Sequence, residues 1–148
     1  YDVMGILLKG HGTKLDDLDD VSWEEWIGNI QETYDEYTSK YSNIFVGGIS
    51  MGGALALYSS TQMKFKAIFT ISAFYHLSKT LSFTTCFLSL FGVHRQRSKA
   101  RIKWYVENNL FSYSEDSFSA ARQLYKMLKA LHRKIDEVNV PVLMIQLM

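Results

Sequence analysis

A mostly parallel α/β sheet flanked by helices is the fold class this sequence predicts, and three observations predict it. Short apolar runs recur at Val3–Leu8, Asn43–Ile49, Lys66–Ser72 and Val140–Gln146. Segments of helical periodicity lie between them, and the second run passes through a tight glycine-flanked turn straight into a helix-forming stretch. Composition agrees: 148 residues at 47% hydrophobic and 21% charged, with a mean hydropathy of −0.07, suit a single buried core. Nine Phe, nine Tyr and three Trp exclude disorder, and one Pro beside nine Gly excludes a collagenous or linker-like chain. Sixteen Lys and Arg against 15 Asp and Glu leave a formal charge of +1, so nothing draws the chain to nucleic acid in general.

The elements follow in order. Val3–Leu8, closed by Lys9-Gly10-His11-Gly12, reads as a buried strand ending in a glycine-bearing turn. Leu15–Asp20 then carries the chain as a solvated acidic loop. Ser22-Trp23-Glu24-Glu25 forms a capping box, with the serine accepting the third helical amide and Glu25 reaching back. From there Trp23, Trp26, Ile27, Ile30, Tyr34, Tyr37 and Tyr41 recur at helical spacing and build one apolar stripe. Asn43–Ile49 is the next strand, Ser50-Met51-Gly52-Gly53 the turn, and Ala54–Tyr58 the body of a helix. Lys66–Ser72 is a third strand.

From Ala73 to Phe111 the alternation stops, giving an apolar patch and then the basic run His94, Arg95, Arg97, Lys99, Arg101, Lys103, which reads as an insertion with a solvated basic face. Glu115–Val138 is a long helix with Leu124, Met127, Leu128, Leu131, Ile135 and Val138 on one side, and Pro141 leads into the last strand. The longest apolar stretch, Leu81–Phe91, is shorter than the ~20 residues of a membrane-spanning helix. The lone Cys86 excludes an internal disulfide framework and a cysteine zinc cluster. It reads as a small buried hydrophobe and fits a reducing, cytoplasmic setting. The chain begins at Tyr1 inside an apparent strand, so it reads as an interior piece of a longer protein.

Chemistry concentrates at Gly48-Ile49-Ser50-Met51-Gly52, a G-x-S-x-G motif lying between a strand and a helix, where a nucleophile elbow requires it. Glycine is wanted on both sides of so sharp a turn: Gly48 to avoid a clash across it, Gly52 to let the helix approach the strand. Ser50 then projects its hydroxyl at the carboxyl end of the sheet. The Met51 amide, at the start of the next helix, is placed to donate to an oxyanion. The alternative is a glycine-rich turn in which Ser50 only caps the helix.

With the motifs LLKGHG (Leu7–Gly12), SWEEW (Ser22–Trp26) and GGISMGG (Gly47–Gly53), residues 1–72 resemble the α/β-hydrolase superfamily, and most closely the carboxylesterases related to monoacylglycerol lipases. The resemblance implies an α/β-hydrolase fold with a helical cap inserted after the strand that follows the elbow. Residues 1–72 would be core, 73–113 the cap, and 114–148 the helix and strand returning to the core. It implies a serine-dependent carboxylic ester hydrolase working through an acyl-Ser50 intermediate on a small ester or monoacylglycerol, with neither cofactor nor metal. Leu77–Phe91 could wall an acyl pocket. The catalytic acid and histidine are expected beyond Met148 and the second oxyanion donor before Tyr1. His11 reads as a packed loop residue, and His76, His94 and His132 as solvated or structural. A peptidase or thioesterase on the same fold is the enzymatic alternative, and a non-catalytic binding module the other.

Overall fold

The capping box at Ser22 forms. Ser22 Oγ accepts the Glu25 amide at 3.3 Å and Glu25 Oε2 accepts the Ser22 amide at 2.8 Å, satisfying amides that a helix start leaves without partners. Helix α1 (Trp23–Thr38) runs from this cap and buries Trp26, Ile27 and Ile30. Trp23 and Tyr34 pack at the margin of the core, whereas Tyr41, beyond the helix, is exposed. The computed structural model describes residues 2–75, 84–85 and 87–146.

After α1 come β1 (Phe45–Ile49), α2 (Met51–Ser59) and β2 (Ala67–Ile71), then β3 (His94–Gln96), α3 (Lys99–Glu107), β4 (Glu115–Ser117), α4 (Phe118–Lys134) and β5 (Val142–Ile145). Strands β1, β2 and β5 form a parallel sheet in that order, with Ile49 opposite Ile71 and Ile71 opposite Ile145. Helix α2 packs on β1 and β2 and is flanked by α1 and α4. Every residue from Gly53 to Ser59 is therefore buried, and this short apolar helix is covered all round. From α4 come Met127, Leu128 and Leu131, all buried. On the other face of the sheet Phe45, Ile49, Phe69, Leu143 and Ile145 are exposed.

Three expectations change. Val3–Leu8 is not a strand: Val3, Met4 and Leu7 are exposed, and only Ile6 and Leu8 reach the core. The run's flanks are tied to α1 and its end: Asp2 accepts the Tyr41 hydroxyl, the Lys9 amide donates to Asn29 Oδ1 at 2.8 Å, and Trp26 Nε1 donates to the Lys9 carbonyl at 3.1 Å. An apolar run says that a segment needs cover and does not say which partner supplies it. Leu15–Asp20 is more than a solvated loop, because Asp16–Leu18 form a 3-10 turn that buries Leu18. The helix expected from Glu115 starts at Phe118. Glu115–Ser117 pair antiparallel with His94–Gln96, and Ser117 Oγ then caps α4 by accepting the Ala120 amide at 2.9 Å.

That hairpin is fastened to the loop before α1. His94 Nε2 lies 2.8 Å from Asp19 Oδ2 and its Nδ1 3.4 Å from Glu115 Oε2, while Ser117 Oγ donates to Asp19 Oδ1 at 2.5 Å. The Asp19 hydrogen bond holds the imidazole above its ordinary pKa of 6.5 despite partial burial, with Glu115 and Asp16 adding to the effect. Burial works to raise the Asp116 carboxyl, but Arg95 and Arg97 overcome it and hold the group below its ordinary range. Tyr113 ties the same region to the His-Gly turn, its hydroxyl donating to the Gly10 carbonyl at 3.0 Å and accepting the Thr13 amide at 3.2 Å. His94 and Arg97 of the basic run are thus half-buried and paired, while Arg95, Lys99, Arg101 and Lys103 keep the expected solvated face.

Two outcomes are expected. Leu131→Ala, which empties a fully buried site, lowers the unfolding free energy by about 2–5 kcal/mol in urea titrations, whereas the exposed Leu90→Ala stays within about 0.5 kcal/mol of wild type. Because the folded pKa of His94 is raised, its contribution is fully present below the unfolded value of 6.5 and is lost as pH rises through the folded value. The thermal midpoint therefore falls as pH rises from 6.5 through the folded value, and His94→Gln removes that part of the slope.

Candidate active site

Strand β1 delivers Gly47, Gly48 and Ile49 to the sheet edge, and α2 starts at Met51, leaving Ser50 to make the whole reversal. It does so at φ 55° and ψ −116°, a conformation that costs an L-residue about 1–3 kcal/mol. The backbone around it is fully engaged. The Ser50 amide donates to the Ile71 carbonyl at 2.9 Å, and the Ser50 carbonyl accepts the Ala54 amide at 3.4 Å and the Phe74 amide at 3.2 Å. The Ser50 side chain makes no capping hydrogen bond, so it does not serve as an ordinary helix cap.

Glycine is required here by contact. A Cβ on Gly48 would lie 2.2 Å from the Gly52 carbonyl carbon, a backbone atom that cannot yield. The second requirement was expected at Gly52, but a Cβ there would meet nothing within 4 Å among the described residues. It falls on Gly53 instead, where a Cβ would come 2.8 Å from the Ala73 Cβ and 3.0 Å from the Gly48 carbonyl oxygen. The first turn of α2 directs position 53, not 52, at the neighbouring backbone.

Met51 opens α2, so its amide belongs to the first helical turn, which has no intrahelical acceptor, and it lies beside Ser50 at the positive end of the helix dipole. Ser50 itself is half-buried. Among the described residues no imidazole or carboxylate hydrogen-bonds to Ser50 Oγ. His11 packs edge-on to Trp26 at 5.9 Å with Nδ1 3.3 Å from the Lys9 carbonyl, His94 is held by Asp19, and His132 meets the Tyr75 ring edge-on at 4.5 Å. His76 and Cys86 lie outside the described residues.

At the carboxyl ends of β2 and β5 is a cavity of about 390 Å³ lined by Leu57, Ser72, Phe74, Tyr75, Met144 and Gln146. No sequence pattern pointed to it, because its walls come from three separate elements. About half of the acyl wall expected from Leu77–Phe91 lies outside the described residues; of the described members Phe87, Leu90 and Phe91 are exposed, Leu88 is half-buried and Thr85 is buried. Asp16, Asp19 and His94 could each turn one ligand atom to a metal ion, these atoms lying within 4.8 Å of one another. Both oxygens of Asp19 are already taken by His94 and Ser117. Among the described residues no helix is long and apolar enough to cross a membrane.

Comparison with known proteins agrees with this fold. The chain is 41% identical over 51 residues to a thermostable monoacylglycerol lipase from Bacillus sp. (strain H-257), a stretch covering 34% of this chain and 20% of the relative. It superposes with a TM-score of 0.79 and 21% identity on a solved structure reported with LipS and LipT, two metagenome-derived lipolytic enzymes, covering 94% of this chain and 57% of that one. The Paleococcus ferrophilus monoacylglycerol lipase superposes at 0.64 with 17% identity, covering 84% of this chain and 53% of that one. The chain thus spans a little over half the length of these structural neighbours. No protein-family model matches it.

Ser50→Gly is expected to stabilise the protein. Relief of about 1–3 kcal/mol of backbone strain exceeds the ~0.5–1 kcal/mol that glycine adds to the freedom of the unfolded chain. A urea midpoint above wild type checks it.

Proposed function

We propose that this chain, which has the α/β-hydrolase fold, carries the nucleophile of a carboxylic ester hydrolase of the carboxylesterase or monoacylglycerol lipase kind. The observation that carries the reading is Ser50 itself, a left-handed non-glycine residue held between a parallel strand and a helix N-terminus. Such strain persists where a side chain is needed in a place the backbone would otherwise yield to glycine. The lipolytic relatives supply the substrate class, and the cavity beside the turn supplies room for part of it.

In the proposed reaction Ser50 Oγ attacks the ester carbonyl carbon and its proton passes to a histidine, which on this reading is supplied by the full protein together with the carboxylate that orients it. Negative charge develops on the carbonyl oxygen, and the Met51 amide donates to it from the helix start. Collapse of the tetrahedral intermediate expels the alcohol, which takes the proton back from the histidine and leaves the acyl group on Ser50. Water, activated by the same histidine, releases the acid. Gly48 and Gly53 serve this chemistry by letting α2 lie close enough to the strand ends for Ser50 and the Met51 amide to face one point.

The test is intact-mass spectrometry of the full protein after exposure to a fluorophosphonate. One adduct per chain is expected, absent in Ser50→Ala, and that variant is expected to lose ester hydrolysis by about a million-fold. A wild-type protein that takes no adduct at Ser50 would favour the non-catalytic binding module. An adduct accompanied by cleavage of thioesters or peptides, but not of oxygen esters, would move the substrate class.

A further inference from the structure

We infer that the turn at Ser72–Phe74 holds Ser50 in its attacking conformation, with Ala73 acting as a positioning residue through its contact with Gly53. The inference rests on the proposed role of Ser50 and goes beyond it, because it assigns the alignment of the nucleophile to a segment outside the G-x-S-x-G motif.

The sheet register places the two features side by side. Ile49 pairs with Ile71, so Ser50 and Ser72 leave neighbouring parallel strands at equivalent positions. Both are left-handed, at φ 55° and φ 46°. Among the described residues the remaining non-glycine residue with positive φ is Asn109, just past the end of α3, where such a conformation is ordinary. Each serine amide also makes the same bond one strand further along: Ser50 to the Ile71 carbonyl at 2.9 Å, Ser72 to the Ile145 carbonyl at 2.8 Å. A positive φ and an amide bonded to the next strand are therefore shared by Ser50 and the residue beside it on β2.

The second bend acts on the first. By turning the chain at Ser72 it brings the Phe74 amide to the Ser50 carbonyl at 3.2 Å, on an oxygen that also accepts the Ala54 amide of α2. With its amide pinned to β2 and its carbonyl pinned by both α2 and this turn, Ser50 has little freedom to relax out of its strained conformation. Ala73 closes the remaining gap, since its Cβ stands 2.8 Å from where a Cβ on Gly53 would be, and a real pair of carbons does not approach so closely. Ser72 and Phe74 also line the cavity beside the turn, so the segment that aligns the nucleophile is one that a bound substrate would touch.

The experiment is a rescue in the full protein. Gly53→Ala forces the new methyl group against Ala73, and the rate of fluorophosphonate labelling at Ser50 is expected to fall about 10- to 100-fold, with kcat reduced and KM little changed. Adding Ala73→Gly removes the nearest opposing atom, leaving the Gly48 carbonyl oxygen at 3.0 Å, and is expected to restore part of the rate. Hydrogen–deuterium exchange across residues 50–56 should rise in the single variant and return in the double. Undiminished labelling in Gly53→Ala, or a loss that Ala73→Gly does not recover, overturns the inference. Should wild type take no adduct at Ser50, the esterase reading fails, and exchange alone decides: no change across residues 50–56 in Gly53→Ala overturns the positioning role. If Gly53→Ala does not fold, Ser72→Gly loosens the same turn. Faster exchange at the Phe74 amide and slower labelling are then expected, and no change in either overturns the inference.

Discussion

One strained residue, Ser50, sets conditions that much of this structure is arranged to meet. A strand entering a helix through a single left-handed residue brings the first turn of that helix against the strand it has just left. Gly48 carries no side chain because the Gly52 backbone occupies that space, and Gly53 carries none because Ala73 and the Gly48 carbonyl do. A helix so close to the sheet presents little surface to water, and α2 accordingly has an unbroken buried run from Gly53 to Ser59 rather than an amphipathic face. It must then be covered on its remaining sides, and α1 and α4 flank it, contributing Trp26, Ile27, Met127, Leu128 and Leu131 to the shared core. The geometry at one residue thus propagates outward as a packing requirement on three helices.

What could be read from the sequence divides along the range of the interactions involved. The capping box at Ser22 and the strand-to-helix turn at Ser50 were legible because each is complete within a few residues. The apolar stripe of α1 was legible up to Tyr34, and the buried side of α4 throughout, because helical periodicity reports burial directly. Strand pairing is different. Val3–Leu8 has a composition as apolar as that of β2, yet only β2 finds partners on both edges among the described residues. The difference lies in what stands beside each run, which alternation of residue types does not encode.

The same distinction explains the details of the site. Gly52 belongs to the motif and Gly53 does not, but contact is decided by the direction in which each Cα would carry its Cβ, and that depends on Ala73, some twenty residues away. The acidic loop looked solvated because Asp16, Asp17, Asp19 and Asp20 are all charged. Asp19 is nonetheless engaged by His94 and Ser117, which arrive on the β3–β4 hairpin from 75 and 98 residues further along. The first part of the basic run likewise resolves into pairs once Asp116 is placed between Arg95 and Arg97, while Lys99, Arg101 and Lys103 stay exposed. A run of like charges in sequence is evidence about solvation only until the partners are located.

The placement of strain completes the physical picture. Left-handed residues at Ser50 and Ser72 each oppose folding by about 1–3 kcal/mol, set against a net stability that for a domain is only ~5–15 kcal/mol. Such residues survive only where several independent bonds fix them, and the carboxyl ends of adjacent parallel strands supply those bonds: a ladder hydrogen bond on the amide of each serine and, for Ser50, a helix on its carbonyl. Glycine at either position would release the strain. At Ser50 it would also delete the hydroxyl, so relaxation and chemistry are incompatible there. Ser72 lines the cavity at the carboxyl ends of β2 and β5, and the bend it imposes delivers the Phe74 amide to the Ser50 carbonyl. The second strained serine thus has a physical use that glycine, free to adopt many backbone conformations, would serve less firmly.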